Sequence, residues 1–396
     1  MPAPYGPGFH LDPYPTYAWL RDHAPVSRVT TYRGLHAWLV TRHADVRSLL
    51  ADHRLAKDGR RIGELMAVHS PLSGNATGFP AGLTTNMVNS DPPDHTRLRN
   101  LIGREFTARR VDALRRRVEE IVDDLLDRMD DVTDLVPALA LQVPIAVIGE
   151  LLGVPSGDRA DLFRRADTLY GGAVPPDESE AAYRAIVDYL GALFEAKRDE
   201  PADDLLTALV RVRDDEDRLG HDELVSMTLL LLMAGHETTS RQISNGVLAL
   251  LRHPDQLAVL RTDPALMPAA VEELTRYEGP SLSASMRFTT EPVEVAGVVV
   301  PADEFVLLSL ASANRDPRKF PEPDRLDLTR STAGAVAMGH GIHHCVGAAL
   351  GRLELEVVFT RLLDRFPDLA LAIDPGEVEW PVHSFFRGPL SLPVRL

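Results

Sequence analysis

Apolar positions recur at helical spacing over most of this chain. Tyr14–His23 reads as a helix, Ala37–Val40 as a short strand and Ala44–Asp52 as a further helix. From Pro93 to Arg198 the pattern is mostly helical, with breaks near Pro155 and at Gly171–Pro176. Asp222–Arg252 carries the strongest helical signal, and its length of about 31 residues corresponds to roughly 46 Å. A second long helical stretch covers Val346–Arg365. A β-rich passage with Val293–Val300 lies between Arg287 and Leu310, and the stretch after Pro375 reads as strands and turns. Residues 56–92 show no sustained period and contain Pro71, Gly74, Gly78, Pro80 and Gly82, which predicts a long loop that is either functional or disordered. The expected fold class is mainly α with a minor β region.

No linker, low-complexity run or internal repeat divides the 396 residues, so residues 1–396 read as one closely knit unit. At 44% hydrophobic the chain can build a sizeable core. The net charge of −16 argues against nucleic acid as a partner, because phosphate binding needs a positive face. Met1–His10 lacks the basic start and apolar stretch of a signal peptide. The longest apolar runs, such as Leu229–Ala234, fall well short of the roughly 20 residues of a membrane helix. These features predict a cytoplasmic protein with no membrane contact. One cysteine means no internal disulfide.

That cysteine sits in Met338-Gly339-His340-Gly341-Ile342-His343-His344-Cys345-Val346-Gly347. Glycines at 339, 341 and 347 permit turns and close backbone approach. A helical pattern begins just after Cys345, so the segment presents sulfur at a helix N-terminus, where the dipole favours thiolate. Zinc is a rival reading, since three histidines are at hand, but no second Cys/His cluster completes a site. A dinucleotide loop fails, because His344 stands where the third glycine of G-x-G-x-x-G belongs.

Three further motifs carry chemistry. Met233-Ala234-Gly235-His236-Glu237-Thr238-Thr239-Ser240 places a polar, glycine-containing patch inside the apolar long helix, which suits a place where something fits against the backbone. It is not a zinc-protease motif, since Ser240 replaces the second histidine. Glu273 and Arg276 are three apart on a helix and can pair. In Asp91-Pro92-Pro93-Asp94-His95-Thr96-Arg97-Leu98-Arg99, His95 and Arg99 lie one turn apart on one face, ready to hold an anion. Each motif alone also fits a solvated face or a structural polar cluster.

In this order the four motifs resemble the cytochrome P-450 superfamily, most of all its soluble bacterial members that oxidise macrolides, polyketides and other secondary metabolites. The likeness runs from Asp12-Pro13-Tyr14-Pro15 through Ala313-Asn314-Arg315-Asp316-Pro317 and Phe320-Pro321-Glu322-Pro323-Asp324-Arg325 to the end. The resemblance implies one triangular, mostly helical domain. It implies haem b as cofactor, with Cys345 as the iron's thiolate ligand and His95, Arg99, Arg287 and His343 at the haem propionates. Glu237 and Thr238 become an acid–alcohol pair that delivers protons, and Glu273, Arg276 and Arg325 a buried structural group. Met87, Val88, Leu232, Met233, Ala234, Ser283, Ala284, Phe385 and Phe386 fall where similar proteins line the substrate pocket. The implied activity is insertion of one oxygen atom from O₂ into a C–H bond, or epoxidation, of a small apolar organic substrate. No flavin or nicotinamide domain is apparent, so electrons are expected from a ferredoxin and its reductase. Arg104, Arg109, Arg110, Arg115, Arg116 and Arg117 form a basic cluster suited to an acidic ferredoxin. A haem-based gas sensor or carrier is the rival from another class, and oxidative coupling of phenols a rival within this one. The sequence departs from the family pattern at Met338, His344 and Gly351. A protonated His344 beside the thiolate would raise the iron's reduction potential.

Overall fold

The computed structural model describes residues 3–70, 83–170, 175–216, 219–382 and 384–396. Helix dominates. The helix His221–Arg252 starts one residue before its expected boundary, with Asp222 and Glu223 in its first turn and Arg252 in its last, as the helix dipole favours. The Glu223 carboxylate accepts from the Gly220 N–H at 2.8 Å and closes the N-terminus. It packs against the helices Gln142–Leu151, Ser156–Tyr170, Met267–Tyr277 and Ala348–Arg365. A Cβ on Gly235 would lie 2.8 Å from Ile148, and one on Gly246 would collide with the Phe359 ring. Gly235, in the patch where the sequence suggested that something fits against the backbone, makes room for Ile148.

Two apolar clusters share this helix. Its second half packs with Val118, Val122, Val147, Leu274 and Phe359. Its first half packs with Phe163, Leu190, Phe194, Leu206 and Met87. A five-stranded sheet lies to one side, in the order Val26–Thr30, His36–Val40, Phe305–Leu308, Arg287–Thr289, Leu55–Ala56. His36–Val40 runs parallel to Phe305–Leu308; the other neighbours are antiparallel. Leu55 pairs with Thr289 and Ala56 with Phe288. One step further along this register, Lys57 comes level with Arg287.

The loop expected over residues 56–92 is only partly a loop. Gly59–His69 is a helix whose first turn is capped by Asp58, which accepts from the Arg61 N–H at 2.9 Å. A short 3-10 turn covers Met87–Asn89, and residues 71–82 of that expectation fall outside the described ones. The break expected at Gly171–Pro176 is likewise outside them as far as residue 174, and a helix begins at Pro176. The stretch after Pro375 holds less strand than expected: Pro393–Arg395 and an isolated bridge between Ser281 and Phe386. Among the described residues no single helix is long and apolar enough to cross a membrane.

Candidate functional site

Cys345 ends a tight loop that leads into the helix Ala348–Arg365. Its N–H donates to the Met338 carbonyl at 2.9 Å. Gly341 has φ +75°, and a Cβ there would lie 2.9 Å from the Leu50 carbonyl oxygen, so glycine is required on both counts. Cys345 is solvent-accessible at the base of a cleft lined by Arg99, Arg104, Phe106 and Val346. The enclosing protein pushes its thiol pKa up, while the Gly347 backbone N–H and the charges of Arg99 and Arg352 pull it down. The upward push is the larger, and the latter three oppose it.

A group of basic side chains gathers beside the loop. His95 and Arg287 are buried and His343 half-buried. The rings of His95 and His343 lie 4.3 Å apart. Neither nitrogen of His95, nor Nε2 of His343, nor Nε of Arg287 has a hydrogen-bond partner among the described residues. Such orphaned buried donors are costly. Lys57, 1% exposed, joins them, its Nζ 2.5 Å from Ser285 Oγ. Burial and the Arg287 charge push the Lys57 ammonium down to about 7. Burial and the charges of Lys57, His95, Arg287 and Arg99 push His343 down to about 2. Asp91 is the carboxylate whose charge acts on Lys57, His95 and Arg287. An anionic group with several oxygens would satisfy the orphaned donors and relieve the mutual repulsion, and the two propionates of a haem fit this description. Arg99 Nη2 donates to the His344 carbonyl at 2.6 Å and so also ties down the cysteine loop. Burial and the charges of Arg352 and Arg99 push the His344 imidazole below its ordinary value.

In the long helix, Ala234 is exposed although most of the helix is buried, and Glu237 and Thr238 are half-buried. This face therefore meets open space. Thr238 Oγ1 donates to the Ala234 carbonyl at 3.0 Å, and Glu237 Oε1 accepts from Arg241 Nε at 2.7 Å. Thr239 faces the helix after Cys345: a methyl on Gly351 would sit 4.0 Å from Thr239 Oγ1.

Of the expected pocket residues, Met233, Val88, Ala284 and Phe385 are half-buried and Phe386 is exposed. Leu232, at 0% exposed, touches no open space, and Met87 is buried with its N–H on Met227 Sδ at 3.3 Å. Both belong to the apolar core. Ser283 is buried, and Phe385 packs against Tyr5 at 6.2 Å.

Glu273 and Arg276 form the expected buried pair, bidentate at 2.7 and 2.8 Å with both side chains fully buried. The third member is Arg330 and not Arg325. Arg330 Nε donates to Glu273 Oε1 at 3.2 Å, while Arg325 is 61% exposed and 3.6 Å from Glu322. The chain turns after Asp327, whose own N–H also reaches Glu273, and this brings residue 330 inward and leaves 325 in water. Of the basic cluster, Arg110, Arg115, Arg116 and Arg117 are paired with Glu105, Glu356, Glu120 and Glu150. Arg104 and Arg109 are exposed and make no ion pair with any described residue.

Sequence reading missed Lys57 and Arg330, since neither belongs to a local motif. The antiparallel pairing of Leu55–Ala56 with Phe288–Thr289 is what sets Lys57 beside Arg287.

Comparison with known proteins shows the family. Residues 177–381 match the cytochrome P-450 family. The chain is 49% identical to the cytochrome P-450 monooxygenase PikC of Streptomyces venezuelae, over 98% of this chain and 92% of that one. It is 45% identical to the 6-deoxyerythronolide B hydroxylase of Saccharopolyspora erythraea, over 98% and 97%. It superimposes on the tirandamycin C-bound monooxygenase TamI with a TM-score of 0.91 and 45% identity, covering 99% of both chains. This chain is a member of the cytochrome P-450 family of haem-dependent monooxygenases.

Proposed function

We propose that residues 1–396 act as one unit that hydroxylates or epoxidises a largely apolar secondary metabolite of macrolide or polyketide type, using haem b and electrons from a cytoplasmic ferredoxin and its reductase. The observation that carries this reading is the set of orphaned basic donors, His95, His343 and Arg287, grouped beside the loop of the single cysteine. Cys345 would hold the iron, and His95, His343, Arg287 and Lys57 the propionates. Haem bound through a thiolate supplies the oxygen-activating chemistry, because the sulfur pushes electron density onto iron and favours O–O cleavage.

The chain's own groups do the rest. Each turnover takes up two protons and two electrons and places one oxygen atom in product and one in water. Thr238 and Glu237 stand on the open face of the long helix, where a hydroxyl and an acid can pass protons inward. A gas carrier gains nothing from such a pair. The substrate class is supported by the names of the relatives and by the half-buried apolar side chains Val88, Met233 and Ala284. Ferredoxin as donor is supported by Arg104 at the rim of the Cys345 cleft, with Arg109 near it in the chain. The experiment is a comparison of wild type with Thr238→Ala, supplied with NADPH, reductase and ferredoxin. Haem and ligand binding should persist while electrons are diverted to peroxide. Equal coupling in both proteins would refute the assignment.

A further inference from the structure

His236 has no part in the chemistry above, although it adjoins Glu237 in the chain. Its side chain is 1% exposed, and its ring meets Phe163 of the helix Ser156–Tyr170 edge-on at 4.9 Å. Both ring nitrogens face oxygen. Nδ1 lies 2.9 Å from the Leu232 carbonyl and Nε2 lies 3.1 Å from Asp167 Oδ1. A carbonyl and an ionised carboxylate only accept hydrogen bonds, so each nitrogen must carry a proton. Neutral imidazole carries one, and this geometry calls for imidazolium. Burial opposes the charge, but the bonds to Asp167 and Leu232 and the charge of Glu237 outweigh it and raise the pKa. Among the described residues the charged groups acting on the ring are Asp167, from the 156–170 helix, and Glu237, from its own.

The pair joins solvent to interior, because the Asp167 side chain is 57% exposed. One ligand atom each of Asp167, His236 and Glu237 lies within 4.8 Å of the other two. A single water or a modest side-chain rotation spans that gap. Three such atoms could also bracket a divalent cation, but the imidazolium and Arg241, 2.7 Å from Glu237, already place two positive charges there. Glu237 must regain a proton each time it gives one up. Arg241 cannot serve, since a guanidinium stays charged.

We propose that Asp167 and His236 form the solvent-side limb of the proton path that recharges Glu237, with His236 as a buried proton carrier. The imidazolium N–H passes its proton to the Glu237 carboxylate, leaving neutral imidazole and a carboxylic acid. The imidazole regains a proton from hydronium of the solvent at Asp167, which leaves water, and no electrons move. Both are positioning residues, since they act through Glu237. This inference rests on the monooxygenase reading.

The test uses haem-loaded protein whose carbon monoxide spectrum is first shown to be intact; failure at that point sinks the monooxygenase reading and not this one. NADPH, reductase, ferredoxin and O₂ are then supplied without substrate, and water and peroxide are measured as products across pH. In His236→Gln the rate of water formation should fall about tenfold. In wild type the peroxide share should rise as pH climbs through the His236 titration, and in His236→Gln it should stay flat. Asp167→Asn, a change at an exposed side chain, should show the same trend at lower pH. Carbon-labelled histidine followed by NMR should place His236 above the ordinary value of about 6.5 in wild type and lower in Asp167→Asn. An unchanged product ratio and pH profile in a folded His236→Gln, or a His236 titration that ignores Asp167→Asn, would overturn the proposal.

Discussion

Truncating Arg330 to alanine should cost several degrees of thermal stability, while the same change at Arg325 should cost almost nothing. Glu273 Oε1 accepts from Arg276 Nη2 at 2.8 Å, from the Asp327 N–H at 3.1 Å and from Arg330 Nε at 3.2 Å. Arg330 is 11% exposed and also donates to the carbonyls of Pro321, Glu322 and Arg325. Its loss leaves a buried carboxylate short of one charged donor and three carbonyls short of a partner. A buried charge-assisted bond of this kind contributes about 3 kcal/mol. Unfolding entropy is about 2.1 cal/mol/K per residue, which over 396 residues makes about 0.8 kcal/mol per degree. The expected shift is therefore about 4 °C. Arg325 and Glu322 are 61% and 74% exposed, and such a pair contributes about 0.5 kcal/mol or less. Its removal should shift the midpoint by under about 1 °C. Far-ultraviolet circular dichroism melts of wild type and both variants decide the matter. Equal shifts, or a larger one for Arg325→Ala, would refute the assignment of the third partner.

Three further outcomes are expected. Lys57, held at about 7 instead of 10.5 in the protein alone, should regain its proton beside two propionates, so haem binding takes up a proton above that pH. Haem loss to an acceptor globin should therefore quicken as pH rises from about 7 towards 10, and Lys57→Met should be about tenfold faster at pH 7 and flat with pH. Gly351→Ala should stabilise the helix Ala348–Arg365 by about 1 kcal/mol, since the added methyl meets Thr239 Oγ1 only at ordinary contact distance; a lower melting point would show that the site lacks that room. Arg104→Ala with Arg109→Ala should slow reduction by ferredoxin at low salt and match wild type at high salt, and a salt-independent difference would show that these charges do not steer docking.

Local signals were legible where a repeating pattern carried them. Tyr14–His23 falls on its expected boundaries, and the long helix within one residue. The helix Gly59–His69 was hidden although Ile62, Leu65 and Met66 keep helical spacing, because Gly59 and Gly63 interrupt it and a tract rich in proline and glycine follows. Cys345, Glu273 and Arg276 were legible because short motifs hold them. The rest depends on chain reversals that no local spacing encodes. Lys57 reaches Arg287 through a strand pairing 230 positions away in sequence, Arg330 displaces Arg325 through a turn, and Asp167 meets His236 across two helices. The burial of Leu232 and Met87 in the apolar core was illegible for a related reason: a crowded core buries apolar side chains on faces that a linear pattern does not distinguish.

The spectrum of the reduced protein under carbon monoxide tests the central claim most directly. With Cys345 on the iron the main band should stand near about 450 nm, and Cys345→Ala should abolish that band while the helical content persists. An unchanged band in Cys345→Ala, or none near that wavelength in wild type loaded with haem, would contradict thiolate ligation.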